Sequence, residues 1–219
     1  MSYELVYFNI AGRALEIRLA FSIGKIEFKD TRVTGKEFGA LKEQLPFGQL
    51  PVLKIDGKTY TQSIPIACYV AKKAGIFPES PEEGLECEAI LHAVEDIWTP
   101  ISVTFGPERF GLSKFKDEKE KLEVRKTIGE KIWPPKFQRL ETLLKKNFDA
   151  NGFAVGKKLS IADIRIYCQV KSLKAGFLDG IDKELTKKYP TLEAIYAKVG
   201  NVEQVKAWLE VEAKAQAKK

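Results

Sequence analysis

The segment from Gln44 to Ser63, QLPFGQLPVLKIDGKTYTQS, constrains the fold of this 219-residue chain more than any other. It holds two short runs of strand-forming residues on either side of Asp56-Gly57. Both turn residues tolerate positive φ, so the pattern predicts a β-hairpin with a two-residue turn. A helix is predicted to follow, with Ser63 as its cap and Pro65 in its first turn, where a missing N–H removes no hydrogen bond.

The Leu50-Pro51 bond stands directly before this hairpin. A cis bond would turn the chain sharply and leave the N–H and C=O of Leu50 beside the sheet, where an extended peptide can pair with them. The helix beginning at Ser63 favours a carboxylate at its N-terminus. One peptide-like ligand with a terminal carboxylate would fit both features. Because only about 5–6% of X-Pro bonds in folded proteins are cis, these residues alone favour an ordinary trans proline.

The surrounding pattern predicts a small α/β domain. The predicted elements are a strand at 3–8, a helix at 13–21, a strand at 26–33, a weaker helix at 36–44, the hairpin, and a helix at 63–73. This order is thioredoxin-like, and its first βαβ unit predicts two parallel strands with a right-handed crossover. We place the domain at residues 1–77 and a linker at 78–84, where PESPEEG is acidic and rich in proline.

Strand patterns nearly vanish after the linker, which predicts an all-α domain over residues 85–219. The predicted helices cover 85–105 with a kink at Pro100, 118–132, 136–148 after a break or bend at Pro134-Pro135, about 161–175, 191–199 and 202–209. Ser160 and Asp163 form a predicted capping box. The tail from Glu210 is predicted to be a solvated helix end or disordered.

Composition narrows the class of protein. Hydrophobic residues make up 44% of the chain and charged residues 30%, with a net charge of +6 of mixed sign, so no basic stripe predicts nucleic-acid binding. Three cysteines without a Cys-x-x-Cys pair, and one histidine, exclude the usual zinc sites. The odd, sparse cysteine count favours a reducing compartment, which predicts a cytoplasmic protein. No apolar run reaches the roughly 18 residues of a membrane span, and no signal peptide is predicted.

Three stretches resemble cytosolic glutathione transferases, and together they cover nearly the whole chain. LPFGQLPVLKIDGKTYTQS is similar to the family's glutathione-binding segment, and YELVYFNIAGRALEIRLAF and LSIADI extend the likeness to both domains. YFNIAGRA most resembles the sigma class, which includes glutathione-dependent prostaglandin isomerases, while FGQLP also occurs in pi-like members. The resemblance implies the thioredoxin-like plus all-α architecture, a homodimer, glutathione as co-substrate and a hydrophobic electrophile as its partner.

The resemblance assigns catalysis to Tyr7, whose hydroxyl donates to the glutathione sulfur, and to Arg13 as a nearby cation. A thiol of this kind has a pKa of about 8.5. Lowering it by ~2 units requires roughly 2.7 kcal/mol, which is within reach of one hydrogen bond and a positive charge. Without the resemblance, Tyr7 is interpreted as a packed strand aromatic and Arg13 as a solvated first-turn arginine.

The resemblance also implies a set of glutathione contacts. Leu50, before a cis proline, pairs with the cysteinyl backbone, and Gln62-Ser63 hold the γ-glutamyl carboxylate. Phe38 stands where sigma-like members usually carry a tryptophan whose indole N–H donates to the glycyl carboxylate. Phe38 cannot donate, so the contact with this carboxylate is left to the charge of Lys42. The full predicted set is Phe8, Phe38, Lys42, Gln49, Leu50, Pro51, Gln62, Ser63 and Asp96. Pro65 and Cys68 also depart from the family pattern.

Asp96 is assigned by resemblance to reach across a dimer interface to the γ-glutamyl ammonium of the partner's glutathione, whereas the residues alone predict a solvated pair with Glu95. Phe47 is either an aromatic plug into the partner or core, and we favour core. In some sigma members nearby acids bind a divalent metal, but here His92 stands at one of those positions, so no metal is predicted. The candidate electrophile pocket consists of Ile10, Gly12, Trp98, Ile101, Ser102, Val103 and Phe105.

The resemblance thus implies a tyrosine-type, sigma-like glutathione transferase that conjugates electrophiles in detoxification. One alternative is a glutathione-dependent prostaglandin-type isomerase. A second is a crystallin-like or ligand-carrying relative without activity, which the joint presence of Tyr7, Arg13 and Gln62-Ser63 disfavours. A thioredoxin-type reductase is disfavoured because the turn at 9–12 contains no cysteine.

Overall fold

The computed structural model describes residues 1–217. Positions 218 and 219, the end of the predicted helical domain, lie outside the described residues. The chain divides into two compact units, one formed by residues 1–79 with the segment from Val199, the other by residues 80–198. The N-terminal unit is a thioredoxin-like α/β structure and the other is helical, so the predicted fold class is confirmed.

A four-stranded sheet forms the centre of the N-terminal unit. Its strands are β1 (Tyr3–Phe8), β2 (Lys29–Val33), β3 (Val52–Ile55) and β4 (Lys58–Thr61), in the order β2-β1-β3-β4. As predicted, β1 and β2 are parallel, while β3 runs antiparallel to both β1 and β4. Asp56 and Gly57 have φ of 46° and 85°, which confirms the predicted two-residue turn.

Within residues 1–79 the sheet is accompanied by α1 (Leu15–Ile23), α2 (Gly35–Leu41) and α3 (Ser63–Lys73). A short 3₁₀ turn at Gly12–Ala14 leads into α1. α2 begins where the Thr34 hydroxyl accepts from the Glu37 amide and the Glu37 carboxylate accepts from the Thr34 amide. This capping box explains how a short helix without a buried residue starts at a fixed point.

The second unit is built from α4 (Pro81–Val103), α5 (Glu118–Thr127), α6 (Trp133–Asn151), α7 (Ile161–Lys174) and α8 (Pro190–Gly200), the last two residues of which group with the first unit. α4 continues through Pro100. A π-helical turn at Ile128–Ile132 precedes Pro134-Pro135. A proline has no N–H to donate to the carbonyl four positions earlier, so the regular α-helical hydrogen bonds are interrupted here. Among residues 1–217, no helix is both long and apolar enough to cross a membrane.

The predicted linker at 78–84 is wrong in its second half. The Ser80 hydroxyl accepts from the Glu83 amide at 3.4 Å, and Pro81 occupies the first turn of the helix. A proline there loses no hydrogen bond, so this sequence starts α4 instead of continuing a linker.

The C-terminal helix, α9 (Glu203–Ala217), also differs from its predicted place in the helical domain. It belongs to the N-terminal unit, where it packs against α1. The Ser22 hydroxyl donates to the Gln204 carbonyl at 3.0 Å, and Trp208 packs on Phe28 with ring centroids 5.5 Å apart. Of the two outcomes predicted for the tail from Glu210, a solvated helix end or disorder, the structure shows a helix, which continues to Ala217.

Candidate active site

The hydroxyl of Tyr7 lies against the 3₁₀ turn at Gly12–Ala14, which leads into α1. The residue is 6% exposed, and its oxygen accepts a hydrogen bond from the Arg13 amide at 3.2 Å. This contact leaves the phenol's own hydrogen to be donated to a ligand. Burial raises the pKa of the Tyr7 hydroxyl, and the Arg13 amide and the charges of Arg13 and Arg18 only partly oppose that effect. The phenol is therefore neutral at physiological pH and acts as a donor.

Arg13 contributes through its backbone as well as its charge. Its amide is the donor to Tyr7, and its half-buried side chain places a positive charge that acts on the Tyr7 phenol. The sequence predicts the cation but not the amide contact. The contact between the Arg13 amide and the Tyr7 hydroxyl depends on the shape of the turn at Gly12, which the sequence does not show.

Gly12 lies against the Tyr7 hydroxyl. Its φ is +41°, and a Cβ added to it would lie 2.6 Å from the Tyr7 oxygen. The sequence places Gly12 in the electrophile pocket, whereas the structure shows that it makes room for the phenol. Such close approach is possible only for a residue without a side chain.

Replacing Gly12 with Ala should displace the Tyr7 ring and lower kcat/KM at least tenfold, because small errors in the position of a reacting group reduce rates strongly. Steady-state kinetics with glutathione and a chloronitrobenzene electrophile would measure the effect. Gly57→Ala is the matched control, since Gly57 also has positive φ, +85°, but open space around its Cβ. Equal activities of the two variants would contradict the role given to Gly12.

The bond between Leu50 and Pro51 is cis, as the family resemblance implies. The β1–β3 ladder ends at the Val6–Val52 pair, so the Leu50 backbone lies beyond the paired part of the sheet. The Leu50 side chain packs against the buried cluster of Val6, Val33 and Val52. Gln49 is exposed and Pro51 is buried. The side chains thus anchor this segment while the Leu50 backbone remains outside the ladder.

Gln62 and Ser63 stand at the start of α3, but the predicted cap is wrong. Ser63 is the first helical residue, and Gln62, in the cap position, makes no side-chain cap hydrogen bond. Gln62 has φ 71° and ψ 120°, a conformation that non-glycine residues rarely adopt and that is concentrated at functional sites. Ser63 is buried and Gln62 is exposed, so both begin a helix whose first N–H groups have no intrahelical acceptor.

Phe8 and Phe38 contribute packing to this region. Their rings meet edge-on with centroids 5.2 Å apart, and both pack against the valine cluster below. Lys42 follows α2, is exposed, and lies with its aliphatic carbons about 3.5 Å from where a Cβ of Gly48 would stand. Lys42 is therefore the group of this trio with charge to offer a carboxylate.

Phe47 is 64% exposed, so its predicted place in the core is wrong. The loop that carries it follows the last turn of the α2 region, and the cluster of buried valines is covered by Leu45 and Leu50 instead. The periodicity of a loop gives no indication of which of its apolar side chains turns inward.

In the second unit, the two neighbouring acids of α4 have different environments. Glu95 pairs with the Arg165 guanidinium, whereas Asp96 is exposed. Lys136 donates to the backbone carbonyl of Asp96 at 3.2 Å, and no residue among 1–217 contacts its carboxylate with a hydrogen bond or ion pair. The predicted solvated pair is thus wrong for Glu95 and holds for Asp96.

The predicted pocket residues of α4 are largely engaged in their own unit. Trp98 stacks on Trp133 with centroids 6.2 Å apart, and the Ser102 hydroxyl donates to the Trp98 carbonyl. Ile101 is fully buried, which disfavours its predicted contact with an electrophile. Val103 is half-buried and Phe105 is 51% exposed, while Ile10 of the N-terminal unit is 47% exposed. In the described part of the chain no group of three or more His, Cys, Asp or Glu is placed to hold a metal.

Comparison with known proteins identifies the family of the chain. Residues 3–72 match the family described as glutathione S-transferase, N-terminal domain, and residues 108–212 match its C-terminal domain. The chain is 34% identical over 215 residues to glutathione S-transferase S1 of Drosophila melanogaster, which covers 95% of this chain and 78% of that protein. It is 31% identical over 211 residues to hematopoietic prostaglandin D synthase of Gallus gallus, covering 95% and 96% of the two chains.

A solved structure has the same fold. The structure of prostaglandin synthase D of Nilaparvata lugens has a TM-score of 0.83 and 30% identity, and the match covers 96% of this chain and 98% of that one. Together with the sequence matches to both domains, these likenesses place the protein: the chain belongs to the glutathione S-transferase family.

Proposed function

We propose that this protein is a sigma-like, homodimeric, cytoplasmic glutathione transferase that detoxifies electrophilic small molecules. The observation that carries the proposal is the buried, neutral Tyr7 hydroxyl, which already accepts from the Arg13 amide and retains a hydrogen to donate. In the proposed reaction the glutathione thiol loses its proton to solvent water, and the thiolate is held by the Tyr7 hydroxyl and the Arg13 charge. The sulfur then bonds to the electrophilic carbon, and a leaving group departs with its electron pair.

The glutathione contacts proposed for the N-terminal unit follow the chain from β1 to α3. The Leu50 backbone, outside the β1–β3 ladder, pairs with the cysteinyl part of the tripeptide. Gln62 and Ser63, at the N-terminus of α3, bind the γ-glutamyl carboxylate, which the helix end stabilises. Lys42 alone binds the glycyl carboxylate, because Phe38 has no N–H to add a second contact. We therefore expect glutathione affinity to depend on salt concentration.

The prostaglandin D synthases among the relatives support a second candidate function, conversion of a prostaglandin endoperoxide with glutathione as cofactor. The two are separated by assaying the protein with 1-chloro-2,4-dinitrobenzene and with the endoperoxide. Conjugation at rates well above the uncatalysed reaction supports the transferase. Glutathione binding with endoperoxide turnover and no conjugation supports the isomerase, and loss of both binding and activity supports a non-enzymatic relative.

The proposed dimer gives Asp96 its role. Its carboxylate is exposed and has no partner among residues 1–217. A carboxylate that binds the glutathione of the partner subunit has to be available in this way. Phe47, 64% exposed, is the candidate apolar contact of the same dimer. Light scattering should give twice the mass of one chain.

Asp96→Ala should weaken glutathione binding about tenfold, because a hydrogen bond to a charged group is worth roughly 1.5–3 kcal/mol. Titration calorimetry of the dimeric protein measures the dissociation constant. Glu88→Ala, which removes an exposed acid from the same helix, is the control and should leave it unchanged. A dissociation constant that is the same for Asp96→Ala and wild type, with the dimer intact, would exclude the cross-subunit contact.

A further inference from the structure

Arg18 of α1 clamps the turn that follows the Tyr7 strand. Its side chain is fully buried and donates to the Ile10 carbonyl at 2.7 Å and, at a longer 3.5 Å, to the Phe8 carbonyl. These two carbonyls flank Asn9, in the segment that links Tyr7 to Gly12 and Arg13. The clamp therefore acts on the backbone that brings the Arg13 amide to the Tyr7 hydroxyl.

Buried arginines require compensating charge. Asp30 accepts from Arg18 at 3.0 Å and from Arg32 at 2.8 Å. The Glu212 carboxylate binds Arg32 with both oxygens, at 3.1 and 2.7 Å, and lies 3.8 Å from the Arg18 guanidinium. Glu212 is only 5% exposed, so little solvent screens these contacts. The two arginines and two acids alternate in one cluster, in which Arg18 and Glu212 are buried and Asp30 and Arg32 partly buried, and which we call the arginine clamp.

Glu212 comes from α9, 180 residues along the chain from Arg32. The same helix touches the turn a second time, where the Asn9 side chain donates to the Ala215 carbonyl at 3.5 Å. Asn9 also accepts from Arg32 at 3.0 Å. The C-terminal helix is thus connected to the active-site turn by charge and by hydrogen bonds.

We propose that Glu212 is a positioning residue for glutathione activation: through Arg18 and Arg32 it fixes the turn at 8–10, and thereby the Tyr7 hydroxyl that acidifies the thiol. The inference rests on the proposed function of Tyr7. Without the Glu212 carboxylate, the buried guanidinium of Arg18 and the partly buried one of Arg32 share Asp30 as their only acid in the cluster. Arg18 is then drawn toward Asp30 and away from the Ile10 carbonyl. The turn then relaxes, and the alignment of Tyr7 with the Arg13 amide is lost.

Two physical effects of removing Glu212 have opposite signs, which makes the inference testable. Loss of a negative charge alone increases the positive potential and lowers the pKa of the bound thiol. Loss of Tyr7 alignment removes a donor from the thiolate and raises that pKa. Arg13, Arg18 and Glu16 are the charged groups that act on the Tyr7 phenol in the wild type.

The experiment measures the thiol pKa of bound glutathione from the ultraviolet absorbance of the thiolate, without electrophile, in a double-mutant cycle of Glu212→Gln and Tyr7→Phe. We expect Glu212→Gln to raise the thiol pKa by about half a unit and to lower kcat/KM at neutral pH about threefold to tenfold. In the Tyr7→Phe background only the charge effect remains, so there Glu212→Gln should lower the thiol pKa slightly or leave it unchanged, and should not raise it. Glu210→Gln, an exposed acid of the same helix, should behave as wild type.

The outcomes separate the inference from the proposed function. A thiol pKa that Glu212→Gln lowers or leaves unchanged, while Tyr7→Phe raises it, overturns the positioning role alone. An equal effect of Glu212→Gln with and without the Tyr7 hydroxyl shows a merely structural role and also overturns it. A Tyr7→Phe protein with the wild-type thiol pKa overturns both. If Glu212→Gln does not fold, Glu212→Asp takes its place in the cycle, because it keeps the charge and withdraws the carboxylate from Arg18 and Arg32. It should raise the thiol pKa in the presence of the Tyr7 hydroxyl and have no effect in its absence, and any other result overturns the positioning role.

Discussion

Tyr7→Phe should lower the turnover of glutathione conjugation about 10- to 100-fold, the effect expected from losing one donor to a developing anion. The ring remains, so its edge contact with Phe8, at 5.5 Å between centroids, is kept. What is lost is the oxygen that accepts from the Arg13 amide and donates to the sulfur. Glutathione affinity should change little, because the proposed contacts to both carboxylates lie elsewhere.

The pH dependence identifies the cause of this loss. Without the phenol, the pKa of the bound thiol should return toward its ordinary value of about 8.5. The variant should therefore recover activity as the pH rises from 6.5 to 8.5, and the wild type should gain much less. Rates with 1-chloro-2,4-dinitrobenzene over this range measure the effect.

Tyr60→Phe is the matched control for this variant. Tyr60 lies in β4, is 42% exposed and is not one of the candidate site residues. Its replacement by Phe removes the same oxygen atom as Tyr7→Phe does. Its turnover should equal that of the wild type. If Tyr7→Phe retains wild-type turnover and an unshifted pH profile, Tyr7 has no part in the mechanism.

The sequence predicted the features of the fold that depend on residues close together in the chain. The Asp56-Gly57 turn was predictable because few pairs of residues tolerate positive φ at two successive positions. The structure has positive φ at both Asp56 and Gly57. The capping box at Ser160 and Asp163 was predictable because its partners are three residues apart. The parallel pairing of β1 and β2 follows from the right-handed crossover rule and needs no knowledge of the rest of the chain.

Features that depend on distant partners were not predictable from the pattern. The amphipathic period of α9 indicates a buried face, but nothing local shows that Glu212 finds Arg32 across 180 positions. Ser63 has the right residue type for a cap, yet it is the first helical residue, and Gln62, with a positive φ, occupies the cap position. In the candidate site, the resemblance gave Tyr7 and Arg13, while the Arg13 amide contact and the space provided by Gly12 required coordinates.

The second large effect concerns the stability of the helical unit. Asp163 is 2% exposed and accepts from the Ala154 amide at 2.7 Å and from the Ser160 amide and hydroxyl, both at 2.8 Å. One side chain therefore closes the N-terminus of α7 and holds the preceding loop to it. The buried apolar residues of α7 depend on this start, because the helix is covered from Ile161 to Val170.

Asp163→Ala should reduce the free energy of unfolding by about 3 kcal/mol or more, because it leaves two buried amides without an acceptor, each costing roughly 1–3 kcal/mol. Asp163→Asn keeps one acceptor oxygen and should lose less. Urea unfolding followed by tryptophan fluorescence measures both, since Trp98 and Trp133 belong to the same unit.

Asp117→Ala separates burial from capping as such. Asp117 caps α5 by accepting from the Glu120 amide at 2.8 Å, but it is exposed, so water replaces the lost acceptor. Its loss should be about 1 kcal/mol, the usual value of a surface cap. Equal losses for Asp117→Ala and Asp163→Ala would mean that α7 gains no more from its buried carboxylate than a surface helix gains from its cap. The larger loss expected at Asp163 instead reflects the two amides that no solvent reaches once the carboxylate is gone.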